Sequence, residues 1–207
     1  MLLTIGFFRS GNTWMMRTVA SLIGCSTIDT VGGYRSEQAQ QERKAEILKA
    51  HSFSNNSPAS AVFFALRNYR EAVVRHAQHL KRSDTECLLR LLEQYMILLR
   101  GFDRFALPKI LVRYEDMMMD NAGTIRRISK FVESYGSSVD RCEEFLRRLA
   151  EHQQESLRQY GGSNSGSDFL YYSKLIGHKQ CLELDGQARK MDPEIFDKYL
   201  TRYASKA

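Results

Sequence analysis

Proline, glycine and long apolar runs are all scarce in this sequence, and each scarcity excludes a class of protein. Only 3 of the 207 residues are proline and 13 are glycine, far fewer than in collagen-like or low-complexity disordered chains. No run of about 18 apolar residues occurs, so the sequence predicts no membrane-spanning helix. The chain is 43% hydrophobic and 26% charged, which is typical of a soluble globular protein, and we expect residues 1–207 to form a single domain.

Cysteine is also scarce, and the four that occur are far apart in the chain: Cys25, Cys87, Cys142 and Cys181. Zinc sites and dithiol redox sites need closely spaced pairs, so the sequence predicts free thiols and no metal site. The apolar opening has no basic residue ahead of it and no small-residue cleavage site after it, which favours a buried strand over an export signal. We therefore expect a cytoplasmic protein.

The net charge is the first feature that points to a ligand. A charge of +6 and a pI near 9.2 suit an anionic partner, such as a nucleic acid, a membrane surface or a multiply phosphorylated cofactor. Nucleic acid is not expected, because the aromatic residues are not interleaved with a basic strand surface as they are in base-stacking modules.

Apolar runs alternate with helical patterns along the chain. Runs at Leu2 to Phe8, Ala61 to Leu66 and Ile110 to Val112, the last extending toward Tyr114, predict buried parallel strands, and Glu46 to Ala50 is a candidate for a shorter fourth. Helical spacing of apolar residues occurs over Thr13 to Ile23, Glu71 to Lys81, Asp84 to Phe105, Ala122 to Glu133 and Arg141 to Tyr160. This alternation predicts an α/β fold with right-handed crossovers.

Two predictions concern the C-terminal third. The glycine- and serine-rich segment 161–168 is predicted to be a mobile loop. A last helix is predicted from Pro193, with Asp192 as its N-cap and proline in its first turn.

The clearest local motif is GFFRSGNTWMMR, Gly6 to Arg17. An apolar strand runs into a glycine-containing turn and then into an amphipathic helix, so backbone amides and a helix N-terminus point to one place, an arrangement that favours a phosphate or sulfate oxyanion. Side-chain donors are available from Arg9, Ser10, Asn12 and Thr13. The G-x-x-x-x-G-K-[ST] pattern of magnesium-dependent ATP loops is absent.

The segment RSGNTW, Arg9 to Trp14, resembles the 5′-phosphosulfate loop of sulfotransferases that use 3′-phosphoadenosine-5′-phosphosulfate (PAPS). That family has a basic residue followed by Ser-Gly-Thr/Asn-Thr-Trp. Three further segments resemble the family in the same order: LKAHSF from Leu48, ALRNYREAVVRH from Ala65 and VRYEDMMMDNAGTIRRISKFV from Val112 to Val132. The chain is thus similar to compact, bacterial-like cytosolic sulfotransferases. The resemblance implies a three-layer P-loop-like fold, with a central parallel sheet flanked by helices.

The resemblance also implies roles for residues near the first strand. PAPS would be bound by Arg9, Ser10, Gly11, Asn12, Thr13 and Trp14. His51 would be the catalytic base, Lys49 would accompany it, and Ala50 replaces the family's threonine; Arg9 and Lys49 would stabilise the charge on the leaving phosphate. An imidazole of ordinary pKa, about 6.5, can accept a proton from an alcohol at neutral pH. The other histidines, His76, His79, His152 and His178, are interpreted as surface or hydrogen-bonded structural residues.

The 3′-phosphate site departs from the family pattern. Arg67 matches the arginine that pairs with the 3′-phosphate, but Arg75 stands where the family has a serine. Arg75 would either replace that hydroxyl or point to solvent. The family's C-terminal Arg-Lys-Gly element is also absent, and its candidate substitutes are Ser163, Ser165, Ser167, Lys174, His178 and Lys179. Tyr114, Glu115 and Asp116 match positions that are mainly structural in the family.

The sequence therefore predicts transfer of a sulfuryl group from PAPS to an acceptor hydroxyl or amine, leaving 3′-phosphoadenosine-5′-phosphate (PAP). The acceptor, whether a small molecule, a carbohydrate or a lipid, cannot be read from the sequence, nor can the oligomeric state. Two alternatives stay open at this point. One is a P-loop phosphotransferase; the other is a nucleotide-binding module that kept the fold without the transfer activity.

Overall fold

The computed structural model describes residues 1–29, 46–53, 59–82, 84–149, 151 and 176–204. The predicted loop at 161–168 lies outside these residues. So do His152, most of the predicted helical stretch after Glu151, and the four candidates Ser163, Ser165, Ser167 and Lys174.

A parallel five-stranded sheet forms the centre of the described structure. Its strands are β1 (Leu2–Gly6), β2 (Ser26–Asp29), β3 (Glu46–Ala50), β4 (Ala61–Leu66) and β5 (Lys109–Arg113), in the order β2-β3-β1-β4-β5. Every residue of β1 and β4 is buried, because a parallel sheet that carries helices on both faces has no face in contact with water. The predicted α/β fold is therefore confirmed.

Helices cover both faces of the sheet. They are α1 (Asn12–Ile23), α2 (Tyr69–His79), α3 (Thr85–Arg104), α4 (Tyr114–Met119), α5 (Asn121–Phe131), α6 (Val139–Arg147), α7 (His178–Met191) and α8 (Pro193–Ile195), with short 3-10 and π turns after α5 and α8. Side chains alternate between the faces of a strand, so Leu3 and Ile5 join the core with α2, α3 and α7. Leu2 joins the second core, with α1, α5 and α6. The three layers are thus helix, sheet and helix.

Several predicted boundaries agree with the structure and others do not. β3 and β4 have the predicted bounds, and Asp192 caps the last helix by accepting a hydrogen bond from the Ile195 amide at 3.1 Å. The first strand, however, ends at Gly6, so Phe8 lies in the following turn. Tyr114 begins α4 and does not extend β5.

Three strands or helices of the described residues were not predicted: β2, α4 and α7. Strand β2 is short and mostly polar in sequence, so it is not an apolar run. Helix α7 buries only Cys181, Leu184 and Ala188. Their spacing of three and four residues is the helical signal that could have located it.

Three further findings bear on function. Among the described residues, no helix is both long enough and apolar enough to cross a bilayer. All four cysteines are free thiols, as predicted. Nowhere in the described ranges do three or more His, Cys, Asp or Glu side chains cluster as metal ligands would.

Candidate functional site

The candidate site lies where three neighbouring strands end. Strands β3, β1 and β4 are adjacent and parallel, so their carboxyl ends meet at one edge of the sheet. After them come His51, the turn from Phe7 to Gly11, and Arg67, respectively. Open α/β sheets bind their ligands at this edge, at the topological switch point. This is the strand from which one chain connection runs to the left and another to the right. Here that strand is β1.

The turn between β1 and α1 has a strained backbone. Arg9 has φ 63° and Gly11 has φ 83°, both in the left-handed region, which costs a non-glycine residue about 1 kcal/mol. A Cβ added at Gly11 would also lie 3.0 Å from Tyr114 Cδ2. Position 11 therefore needs glycine both for its dihedral angle and for the space beside Tyr114.

This turn presents unsatisfied donors. Gly11 is the N-cap of α1, and no side chain among the described residues caps that helix end, so its first amides can bind an anion. Ser10 is fully buried, and its Oγ has no hydrogen-bond partner in the described part of the chain. Buried hydroxyls are nearly always paired in folded proteins. An oxyanion at the turn would supply the missing acceptor.

Two hydrogen bonds attach the end of β3 to the turn. Lys49 Nζ donates to Thr13 Oγ1 at 3.1 Å, although Lys49 is only 6% exposed. Asn12 Nδ2 donates to the Ala50 carbonyl at 2.9 Å. Lys49 therefore lies at the turn. Asn12 uses one of its two Nδ2 hydrogens to bond Ala50.

His51 contacts the same turn in two ways. Its Nδ1 lies 2.8 Å from the Gly6 carbonyl oxygen, and its ring stacks on Phe8 with centroids 4.1 Å apart and an 18° interplanar angle. A carbonyl oxygen can only accept, so Nδ1 must carry the proton and donate it. In the neutral ring, Nε2 is then the nitrogen able to take up a proton.

Arg67 supports the turn from behind. It is 5% exposed, its Nη1 donates to the Arg9 carbonyl at 2.8 Å, and its guanidinium lies 4.0 Å from the centroid of the Tyr114 ring. Burial lowers the pKa of Arg67, and Tyr114 and then Glu71 oppose that effect. The guanidinium is therefore held in place by its neighbours before any ligand arrives.

Glu71 binds the two arginines that were predicted to contact the 3′-phosphate. This carboxylate is 1% exposed; it pairs with Arg67 Nη2 at 3.1 Å and also accepts from Arg75 Nε. Arg75 is thus turned onto the helix, not outward into solvent. Sequence reasoning gave Glu71 no role, although its position four residues from each arginine is the spacing of helical ion pairs.

The remaining predicted residues surround this centre. Trp14 is half-buried and packs against the core on the α1 side of the sheet. Glu115, predicted to be structural, accepts hydrogen bonds from the Asn68 amide and the Tyr203 hydroxyl, each at 2.9 Å. Burial and then Glu115 raise the pKa of Tyr203, which keeps its hydroxyl a donor.

Comparison with known proteins identifies the fold. No family model matches the sequence, and no curated protein matches it. The structure is similar to a crystal structure of mouse sulfotransferase SULT7A1 complexed with PAP, with a TM-score of 0.62 and 12% sequence identity, covering 94% of this chain and 85% of that one. At this identity the similarity shows the fold, which is the P-loop-like α/β fold of a sulfotransferase.

Proposed function

We propose that the protein is a PAPS-dependent sulfotransferase that transfers a sulfuryl group to the hydroxyl or amine of a small-molecule, carbohydrate or lipid acceptor. The observation that carries the proposal is the meeting of Lys49 and His51 at the turn after β1, in a fold shared with a PAP-bound sulfotransferase. The fold alone would not support catalysis, because related folds serve many functions.

The turn has the donor set that a sulfated nucleotide requires. The Ser10 hydroxyl, the first amides of α1 and the Arg9 side chain would hold the 5′-phosphosulfate. When bound, PAPS supplies the sulfuryl group and a phosphate as leaving group. Arg67 and Arg75 would hold the 3′-phosphate, and for this they must share or exchange their contact with Glu71.

The proposed chemistry uses His51 as general base. Nε2 accepts the proton of the acceptor hydroxyl, and the Gly6 carbonyl continues to accept from Nδ1–H as the ring becomes positively charged. Lys49 and Arg9 stabilise the negative charge that develops on the leaving phosphate. Since Lys49 is already bonded to Thr13, little reorganisation is needed to orient its ammonium group.

The test is transfer of the sulfuryl group by purified protein, with products from an acceptor panel detected by mass spectrometry. His51→Ala should lower kcat by about 10²-fold or more, because a positioned general base contributes that much, and should leave PAP affinity by calorimetry unchanged. Gln78→Ala, which truncates an exposed side chain on α2, is the control and should keep full activity.

Other outcomes would contradict this assignment. Full activity in His51→Ala would exclude His51 as the base. PAPS binding without turnover on any acceptor would favour the nucleotide-binding module, and magnesium-dependent ATP binding would favour a phosphotransferase.

A further inference from the structure

Three aromatic rings form a stack beside the candidate site. We use "ring stack" for His51, Phe8 and His76. The Phe8 ring lies 4.1 Å from that of His51 and 4.1 Å from that of His76, with interplanar angles of 18° and 6°. Two rings that are nearly parallel to Phe8 at the same distance cannot share one of its faces without overlapping. His51 and His76 therefore cover opposite faces of Phe8.

The environment of His76 differs from that of an ordinary structural histidine. The residue is 8% exposed, and the edge of Phe7 packs against its ring at 5.7 Å and 87°. Its Nδ1 is buried without a hydrogen-bond partner among the described residues, which is unfavourable for a polar atom. The His76 ring is therefore buried against Phe8 even though its Nδ1 makes no hydrogen bond there.

His76 is held uncharged near neutral pH. Burial lowers its pKa to about 4, with further lowering by His79 on the same helix, Arg9 from the turn and His51 from the end of β3. A neutral ring can pack on Phe8 without adding another cation beside Arg9 and Lys49.

We propose that His76 is a positioning residue for His51, acting through Phe8; this rests on the proposed function, in which His51 is the base. The bond from Nδ1 to Gly6 fixes one atom of the His51 ring, and stacking on Phe8 fixes the plane of the ring. Phe8 lies in a turn and is only half-buried, so it can fix that plane only if a second ring supports its far face. His76 supplies that ring, and positioning of a base to within a fraction of an ångström governs its efficiency.

The first arm of the test needs no enzymatic activity. Nuclear magnetic resonance of the ligand-free protein with labelled histidine reports the tautomer of His51. It also reports the upfield displacement of the chemical shifts of the His51 ring protons that the Phe8 ring causes. His76→Ala should lose the displacement and reduce the Nδ1–H tautomer population. His76→Phe keeps a flat ring on Phe8 and should retain both. Gln78→Ala, at an exposed position of the same helix, should leave both unchanged.

The second arm measures turnover. His76→Ala should lower kcat by about tenfold to a hundredfold with KM for PAPS unchanged, and His76→Phe should recover most of that loss. Unchanged His51 resonances in His76→Ala, or equal losses in the Ala and Phe variants, would overturn the proposal. If the wild-type protein transfers no sulfuryl group but the resonances respond as expected, the proposed function fails while the positioning of His51 stands.

Discussion

Glu71 controls the charge available to a ligand at the α2 end of the site. One nearly inaccessible carboxylate is shared by Arg67 and Arg75, so the pair offers less positive charge than two separate guanidinium groups would. A phosphate monoester carries about −1.5 to −2 charge at neutral pH. A 3′-phosphate can therefore compete with the Glu71 carboxylate for Arg67 and Arg75. Glu71 in turn competes with the ligand for these two arginines.

We predict that Glu71→Gln raises the affinity for PAP while lowering the stability of the ligand-free protein. Removing one partner of a buried ion pair costs about 3 kcal/mol, whereas the arginines become more available to a 3′-phosphate. Calorimetry should show tighter PAP binding and no gain for AMP, which lacks that phosphate. Glu86→Gln is the matched control, since Glu86 pairs with Arg90 on the surface of α3 at 79% and 63% side-chain exposure, and it should change stability by less than about 0.5 kcal/mol. An equal gain for AMP would contradict the competition.

At this scale the sequence predicted which residues lie at the turn but not how they are paired. Lys49 and His51 were expected there because the segment LKAHSF resembles the element of sulfotransferases that carries the catalytic base. The bond from Asn12 to Ala50 depends on the register between distant segments, and the ring stack depends on β1 ending before Phe8. Neither is encoded in local spacing.

Helix α7 is attached to α2 by a buried polar network. Arg70 is 3% exposed and pairs with Asp185 of α7, its Nε lying 2.7 Å from Oδ1; the Tyr69 hydroxyl also donates to Asp185. Burial and Asp185 raise the pKa of Tyr69, so this hydroxyl stays protonated. Tyr69 and Arg70, which follow Arg67 and Asn68 in sequence, are therefore held in place by helix α7.

We predict that Asp185→Asn destabilises the protein by about 3 kcal/mol, because it leaves the Arg70 charge buried without its carboxylate. Urea unfolding at neutral pH measures the change. Asp197→Asn is the control, since its pairing with Arg189 spans 3.7 Å between side chains that are 64% and 59% exposed, and it should cost less than about 0.5 kcal/mol. Equal effects of the two substitutions would show that the network contributes nothing beyond a surface pair.

Elements with continuous apolar runs were predictable, and those stabilised by polar or sparse contacts were not. β4 is buried along its whole length, so the apolar run in the sequence begins and ends where the strand does. In α7 the residues between Cys181, Leu184 and Ala188 are mostly polar and include Gly186, which weakens a helical pattern. Its attachment through Asp185 to Arg70 is a tertiary contact that no local pattern contains.

For the molecule as a whole, the buried histidine makes stability depend on pH. His76 is neutral in the folded protein, because its pKa falls from 6.5 to about 4, but it binds a proton in the unfolded chain. The unfolded state therefore holds more protons between these two values. Stability from this source is intact above pH 6.5 and declines as the pH falls toward 4.

We predict that the free energy of unfolding in urea is lower at pH 5 than at pH 7.5, and that His76→Phe reduces this difference. Asp84, Asp103 and Asp192 have lowered pKa values, and their contributions are lost only below their ordinary value of 3.8. The contributions of these three carboxylates are therefore present at both pH 5 and pH 7.5, whereas the His76 contribution changes between the two. An unchanged slope in His76→Phe would contradict the assignment.

We further propose that residues 1–207 form one domain, because the two hydrophobic cores pack against opposite faces of a single sheet. A protein of that kind should unfold in one cooperative transition.

The central place of β1 has a consequence for biosynthesis. Leu2 pairs with Ile47 on one side and Ala61 on the other, so this strand leaves the ribosome well before either partner. Pairing of segments distant in sequence is slow, since loop closure must precede it, and an unpaired apolar strand invites self-association meanwhile. We therefore expect the first strand to stay unpaired, and open to self-association, until residues 46–66 have been synthesised.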